Sequence, residues 1–239
     1  MDTELAIRTR KTEKCLADPN HLAPVDHERQ SRVKEDIREL LELAGHAPFH
    51  KPAHSDHLKT DTDEKASLDA VMPWRFYVLD QAACQSAVAL IRNRAANHQE
   101  KIWHESWQSK IPWLLAGADA LILTYWLPDP QSHPTTQDAP EWTLFNQEHL
   151  AAASAATQTL LLAATARQYH NYWSSGGIFR SSDMQALLNI SPKQVLLGAV
   201  FLTHSASVAE NTAIKEGGMR SKRTPPEHWS KWVAPSLSE

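Results

Sequence analysis

The 239-residue chain gathers its chemically capable side chains into four short clusters. The first is Arg8-Thr9-Arg10-Lys11-Thr12-Glu13-Lys14, where four cations surround the hydroxyl of Thr12. Guanidinium forks, ammonium groups and a hydroxyl converging on one anion suit a phosphate monoester, because charge-assisted hydrogen bonds contribute roughly 1.5–3 kcal/mol each. Taken alone, the same stretch also reads as a solvated basic turn. The second cluster, Gly45-His46-Ala47-Pro48-Phe49-His50-Lys51, is a tight polar turn after a helical stretch, and turns of this kind hold ligands. His46, His50 and His54 have the spacing of ligands on a zinc-binding helix, but Pro48 and Pro52 interrupt that helix, so no metal is assigned. In the third, Tyr172-Trp173-Ser174-Ser175-Gly176-Gly177, hydroxyls, an aromatic plane and permissive glycines meet at a chain reversal. That suits a flat ligand with polar edges as well as it suits a plain glycine turn over a core tryptophan. The fourth, Gly217-Gly218-Met219-Arg220-Ser221-Lys222-Arg223-Thr224-Pro225, is a second basic patch, equally readable as a basic tail.

The bulk composition narrows what these clusters serve. Hydrophobic residues make up 42% of the chain and charged residues 22%, the range of one compact globular domain spanning 1–239. A net charge of -4 supplies no global basic field for nucleic acid, so any basic site is local. Cys15 and Cys84 lack a CxxC spacing, which argues against a thiolate zinc site and fits a reducing cytoplasm. The opening MDTELAIRTRK has no signal-peptide core, and no apolar run reaches membrane-spanning length. With seven glycines and neither GxGxxG nor GxxxxGK[ST], a Rossmann turn and a P-loop are unsupported; a phosphate must be gripped by side chains.

The elements that must position the clusters follow from hydrophobic period. Val33, Ile37, Leu40, Leu41 and Ala44 form the stripe of an amphipathic helix ended by Gly45 and Pro48. Lys51 to Met72 is rich in His, Asp, Lys and Pro and reads as a solvated excursion. Trp74 to Leu79, Ala118 to Trp126 and Gln194 to Leu202 read as strands. Gln81 to Lys110 carries helical material with Trp103 and Trp107 on one face, and Pro128 to Pro140 is a loop. Phe145 to Gln168 is a long alanine-rich helix, apolar over most of its surface and therefore buried in the core or at a subunit interface; Asp183 to Leu188 adds a short one. Without a regular βαβ alternation, the pattern predicts an α+β fold with a central helix.

In this order the clusters resemble the nitroreductase superfamily, and particularly its short bacterial members. Arg10-Lys11-Thr12-Glu13-Lys14 matches the family's Arg-Arg-Ser-x-Arg/Lys, carried there on an opening helix, and Ala47 to Lys51 matches Ala-Pro-x-His-Lys. Pro73 to Phe76 is an intact Pro-Trp-Arg-Phe, Trp173 to Gly176 is similar to Trp-Arg-Ser-Gly, and Lys222 to Pro225 resembles the basic-then-proline tail. The resemblance implies a nitroreductase-like fold: a central, mostly antiparallel sheet flanked by helices, with the long buried helix at a dimer interface. It also implies FMN as cofactor. Arg10, Lys11 and Thr12 would then grip the phosphate and ribityl end with help from Arg223, and Lys14 would lie near the flavin N1 and O2 edge, where a positive charge favours reduction. His46, His50, Trp173, Ser174 and Ser175 match positions that contribute to the same flavin from the other subunit, so binding would require a homodimer.

Three departures stand out. Met72 occupies the position before Pro-Trp where the family usually has Gln, Ser174 stands where short relatives often carry Arg, and 52–72 is an insertion beside the cofactor site. The implied activity is ping-pong hydride transfer from NAD(P)H through the flavin to a small acceptor such as a nitroaromatic or quinone, with no protein acid, base or nucleophile assigned. The alternatives are a flavin-binding protein without turnover, or another redox role in the superfamily such as reductive dehalogenation or flavin fragmentation.

Overall fold

A computed structural model describes residues 2–57, 71–131 and 140–234. In chain order the elements are α1 (Thr3–Thr9), β1 (Glu13–Leu16), α2 (His27–Gly45), β2 (Trp74–Asp80), α3 (Gln81–Asn97), α4 (Lys101–Gln108), α5 (Ile111–Gly117), β3 (Ala120–Trp126), α6 (Leu144–Ala166), β4 (Tyr169–Ser174), α7 (Ser182–Leu187), β5 (Val195–His204) and β6 (Ala213–Glu216). Four strands form an antiparallel sheet in the order β2-β3-β5-β4, and β1 pairs with β6 in a separate two-stranded ribbon. The α+β expectation and the antiparallel sheet are both found.

β3 is buried along its whole length and shows why the sheet has two covered faces. Its alternate residues Leu121, Leu123 and Tyr125 enter a core shared with α3, α4 and α5, among them Cys84, Ile91, Trp103 and Leu115. Ala120 and Ile122 face the other way, into a core built with Val33, Ile37 and Leu40 of α2 and Leu160 and Leu161 of α6. Helices therefore cover both sides of the sheet. α6 is the spine of the second core, with nine of its side chains buried within the chain itself. α2 begins six residues before its apolar stripe because Asp26 caps it, accepting from the Arg29 N–H. The helical material expected over Gln81 to Lys110 forms α3 and α4, and α5 follows directly.

Two expectations are corrected. The basic residues from Arg10 onward are not on the opening helix: α1 ends at Thr9, and Arg10 turns into extended backbone (φ -54°, ψ 123°) that leads into β1. Tyr172 to Ser174 are not in a turn but complete edge strand β4, and the reversal starts only at Ser175, with Gly176 (φ +108°) and Gly177 (φ +54°) in the left-handed region. The excursion predicted over 52–72 falls mostly on residues 58–70, outside the described residues, as do 132–139 of the proline-rich loop. At the base of the excursion the Ala53 N–H donates to the Val71 carbonyl at 2.8 Å, so the chain leaves and returns at one point.

Candidate functional site

The ribbon brings together what the sequence holds apart. β1 and β6 pair Glu13 with Glu216 and Lys14 with Lys215, and the Gly217 N–H then donates to the Thr12 carbonyl at 2.9 Å. A Cβ on Gly217 would sit 2.9 Å from the Thr12 Cβ, so the close approach needs a residue without one. This turn delivers Arg220 and Arg223 to Arg10. The Arg10 Nε is buried without a hydrogen-bond partner among the described residues. Burial, then the positive charges of Arg223 and Arg220, press its proton affinity below the usual guanidinium range. A partly buried cation beside two like charges, with a donor unused, is a site short of an anion.

The remaining basic residues are placed differently. The Lys11 ammonium lies between Glu13 (2.9 Å) and Glu216 (2.5 Å), and these hydrogen bonds, Glu216 first, raise its proton affinity. Lys14 stands over the Tyr172 ring, 4.9 Å from its centroid, and the His170 Nδ1 lies 2.7 Å from the Glu13 carboxylate. Through these two contacts the ribbon is fastened to β4. The Glu13 carboxyl, despite burial, is held below the ordinary carboxylate range by His170 and then Lys11. A cavity of about 340 Å³ opens beside the ribbon, lined by Lys11, Glu13, His170 and Asn171 among others.

β4 continues into Trp173, Ser174 and Ser175. The Trp173 indole crosses Gly198, where a Cβ would stand 2.1 Å from its Nε1. Gly198 lies at a bulge in β5: Thr124 pairs with Gly198 but Tyr125 pairs with Leu196, so Leu197 is an extra residue. The buried Ser174 hydroxyl accepts from the Gly176 N–H at 3.2 Å. Ser175 is exposed, and its carbonyl accepts from the Arg180 Nε at 2.5 Å while that guanidinium also bonds the Leu196 and Leu197 carbonyls.

His46 and His50 lie elsewhere. Both are exposed on the turn after α2, flanking buried Ala47 and exposed Phe49, whose ring meets Trp74 edge-on at 5.7 Å. Lys51 pairs with Glu148 of α6 at 3.4 Å. Trp74 itself packs with Trp126 and Ala152, and the buried Arg75 donates to the Met72 and Trp74 carbonyls, so this motif builds the core at that end. β2 and β3 pair Trp74 with Trp126 at one end and Asp80 with Ala120 at the other, and Ala120 pairs onward with Leu202. His170 pairs with Thr203, so the ribbon attaches at the Asp80 end. A seven-residue strand separates the two ends by about 20 Å. One chain thus groups Arg10, Lys11, Thr12, Lys14 and Arg223 near β4, and holds His46 and His50 at the opposite end. On β4, which the ribbon touches at His170 and Tyr172, the register sets Trp173 level with Val78 and Ser174 level with Tyr77, between the two ends of the sheet.

The sequence reading passed over Arg220 and Arg180 as individual site residues, although Arg220 lies inside its second basic patch. Both act mainly through backbone carbonyls of other elements, Arg220 on Arg8 to Arg10 and Arg180 on Leu196 and Leu197, which leaves no local pattern. Among the described residues no cluster of His, Cys, Asp and Glu is placed to hold a metal ion, and no helix is long and apolar enough to cross a membrane.

An antiparallel sheet between two helical layers, edged by a cation cluster, defines an α+β protein with an anion-ready rim. The chain belongs to the nitroreductase family, whose sequence profile matches residues 32–203. That match includes His46, His50 and Trp173 to Ser175 but stops short of both arms of the ribbon. No curated protein matches the chain. Among solved structures it is similar to a nitroreductase-like family protein from Bacillus cereus (17% identity, 98% of this chain and 97% of that one, TM-score 0.61). It is also similar to a BluB-like flavoprotein from Clostridium difficile 630 (16%, 98% and 100%, TM-score 0.56). A third likeness is to a nitroreductase with bound FMN from Bacteroides fragilis NCTC 9343 (15%, 98% and 100%, TM-score 0.54). At these identities the likeness shows the fold.

Proposed function

We propose that this chain is a single-domain, FMN-dependent oxidoreductase that works as a homodimer, taking hydride from NAD(P)H and passing it to a small acceptor such as a nitroaromatic or quinone. The observation that carries the reading is the Arg10–Arg223 cluster with its unpartnered, buried Nε, which fits a phosphate dianion better than water. FMN bound in the Bacteroides fragilis relative supports the choice of cofactor. When bound, FMN supplies the hydride chemistry. The chain's own part is to hold and tune. Arg10 and Arg223 grip the phosphate, with Thr12 beside them. Lys11 is neutralised by Glu13 and Glu216 and stiffens the ribbon. Lys14 presents a positive charge along β4, where Trp173, Ser174 and Ser175 give an aromatic and polar wall.

Dimerisation is proposed because His46 and His50 lie about 20 Å from the cation cluster along the strand direction, so only a second copy brings them to it. The exposed tail supports this: Trp229 and Trp232 find no cover among the described residues, with Trp232 fully exposed. The two cysteines, both buried as free thiols, support a cytoplasmic setting. Purified protein should be yellow, and anaerobic NADH or NADPH should bleach it, with colour restored by a quinone. A preparation that is colourless and takes up no added FMN overturns the reading; one whose FMN cannot be bleached leaves a flavin-binding protein without turnover.

A further inference from the structure

The guanidinium of Arg220 reaches back across the ribbon and spends its donors on three consecutive carbonyls: Arg8 at 2.5 Å, Thr9 at 3.2 Å and Arg10 at 3.0 Å. These are the carbonyls that the end of α1 leaves without helical partners, since the helix stops at Thr9 and the Arg10 N–H already closes on Ala6. We propose that Arg220 is a positioning residue: it clamps the end of α1 and fixes the backbone of Arg10, so that Arg10 and Arg223 are set as the pair that takes the phosphate. The assignment rests on the proposed function and goes beyond it in dividing the cluster into two binding cations and one clamp.

Geometry favours this division. Three of the five Arg220 N–H donors, on both terminal nitrogens, are taken by these carbonyls, whereas the buried Arg10 Nε is unused. The contact also spans more than two hundred residues, joining the chain's N-terminal helix to its C-terminal turn. The Gly217 bond to Thr12 fixes the next step of the chain. A lysine ammonium lacks the fork that reaches these carbonyls from two separate nitrogens, so lysine is not an equivalent.

The test compares FMN with riboflavin, which lacks the phosphate, in the full-length protein. Wild type should bind FMN more tightly. Arg220→Gln should lose about tenfold or more in FMN affinity with riboflavin affinity unchanged, and Arg220→Lys should not restore it. In flavin-free protein, hydrogen exchange of the amides around Arg10 should quicken in Arg220→Gln, a change that a cation acting only as a direct phosphate ligand would not produce. If Arg220→Gln keeps the wild-type preference for FMN, weakens both flavins equally, or leaves flavin-free exchange unaltered, the assignment fails on its own. A wild type that binds neither flavin overturns the proposed function together with it.

Discussion

Arg10 carries a charge that its surroundings make costly, through burial first and then through Arg223 and Arg220. Such a site gains most from an anion, since each charge-assisted hydrogen bond contributes roughly 1.5–3 kcal/mol. Arg10→Gln should therefore weaken FMN binding about tenfold to a hundredfold, and Arg223→Gln should act in the same direction, both read by flavin fluorescence quenching. Riboflavin, titrated in parallel, should not notice either change. Gly198 is a residue of another kind, fixed by what lies over it. A methyl there would stand 2.1 Å from the Trp173 Nε1 and 2.7 Å from the Ser174 carbonyl, so Gly198→Ala should cost about 1–3 kcal/mol by overpacking. Thermal unfolding should show a loss of several degrees, much of it recovered in a Trp173→Ala background. Equal losses in both backgrounds would place the strain elsewhere.

At the scale of elements, α6 is tied to the end of β3 by a histidine. His149 is 1% exposed; its Nδ1 lies 2.7 Å from the Leu127 carbonyl, its Nε2 has no partner among the described residues, and Phe145 packs against the ring. Burial lowers its proton affinity, and the Leu127 and Pro52 carbonyls, then the neighbouring Glu148 and the Lys51 backbone, only partly oppose this. A histidine whose folded pKa is depressed binds fewer protons when folded than when unfolded. Stability is then complete above the unfolded value of about 6.5 and declines as pH falls below it. Thermal midpoints should drop between neutral pH and pH 5 in wild type and drop less in His149→Gln; parallel pH profiles would refute the assignment. The same scale shows what a sequence makes legible. α6 and β3 stand out because both of their surfaces are apolar, and β2 and β5 because their runs are aromatic and β-branched. β4, by contrast, is an edge strand reading Tyr-His-Asn-Tyr-Trp-Ser, polar enough to pass for part of the glycine turn that follows. β1 and β6 are four residues each and gain their structure only from one another, two hundred residues apart, so no local period marks them. The clusters themselves were legible as residue types. Their grouping was not, because it depends on pairing between strands far apart in sequence, as when β6 brings the second basic patch to the first.

Across the whole molecule, the cations of the ribbon and the histidines of the α2 turn occupy opposite ends of one sheet, and Trp229, Trp232 and Val233 of the tail stand exposed among the described residues. In the homodimer proposed above, a two-fold axis would resolve both at once: each tail would gain a surface and each cation cluster the turn of the other copy. That arrangement makes a prediction that a site within one chain cannot share. Arg223→Gln protein and His46→Ala/His50→Ala protein should each bind FMN weakly as purified homodimers. Unfolding the two together and refolding the mixture should form hybrid dimers in which one site collects both lesions and the other collects neither. With random re-association about half of the dimers are hybrids, so about a quarter of all sites should regain wild-type affinity. Titrating the mixture with FMN should then show a tight phase absent from either parent, with an amplitude that follows the mixing ratio. If Arg223, His46 and His50 served the same site within a single chain, every site in the mixture would still carry a lesion. No mixing ratio would then produce the tight phase.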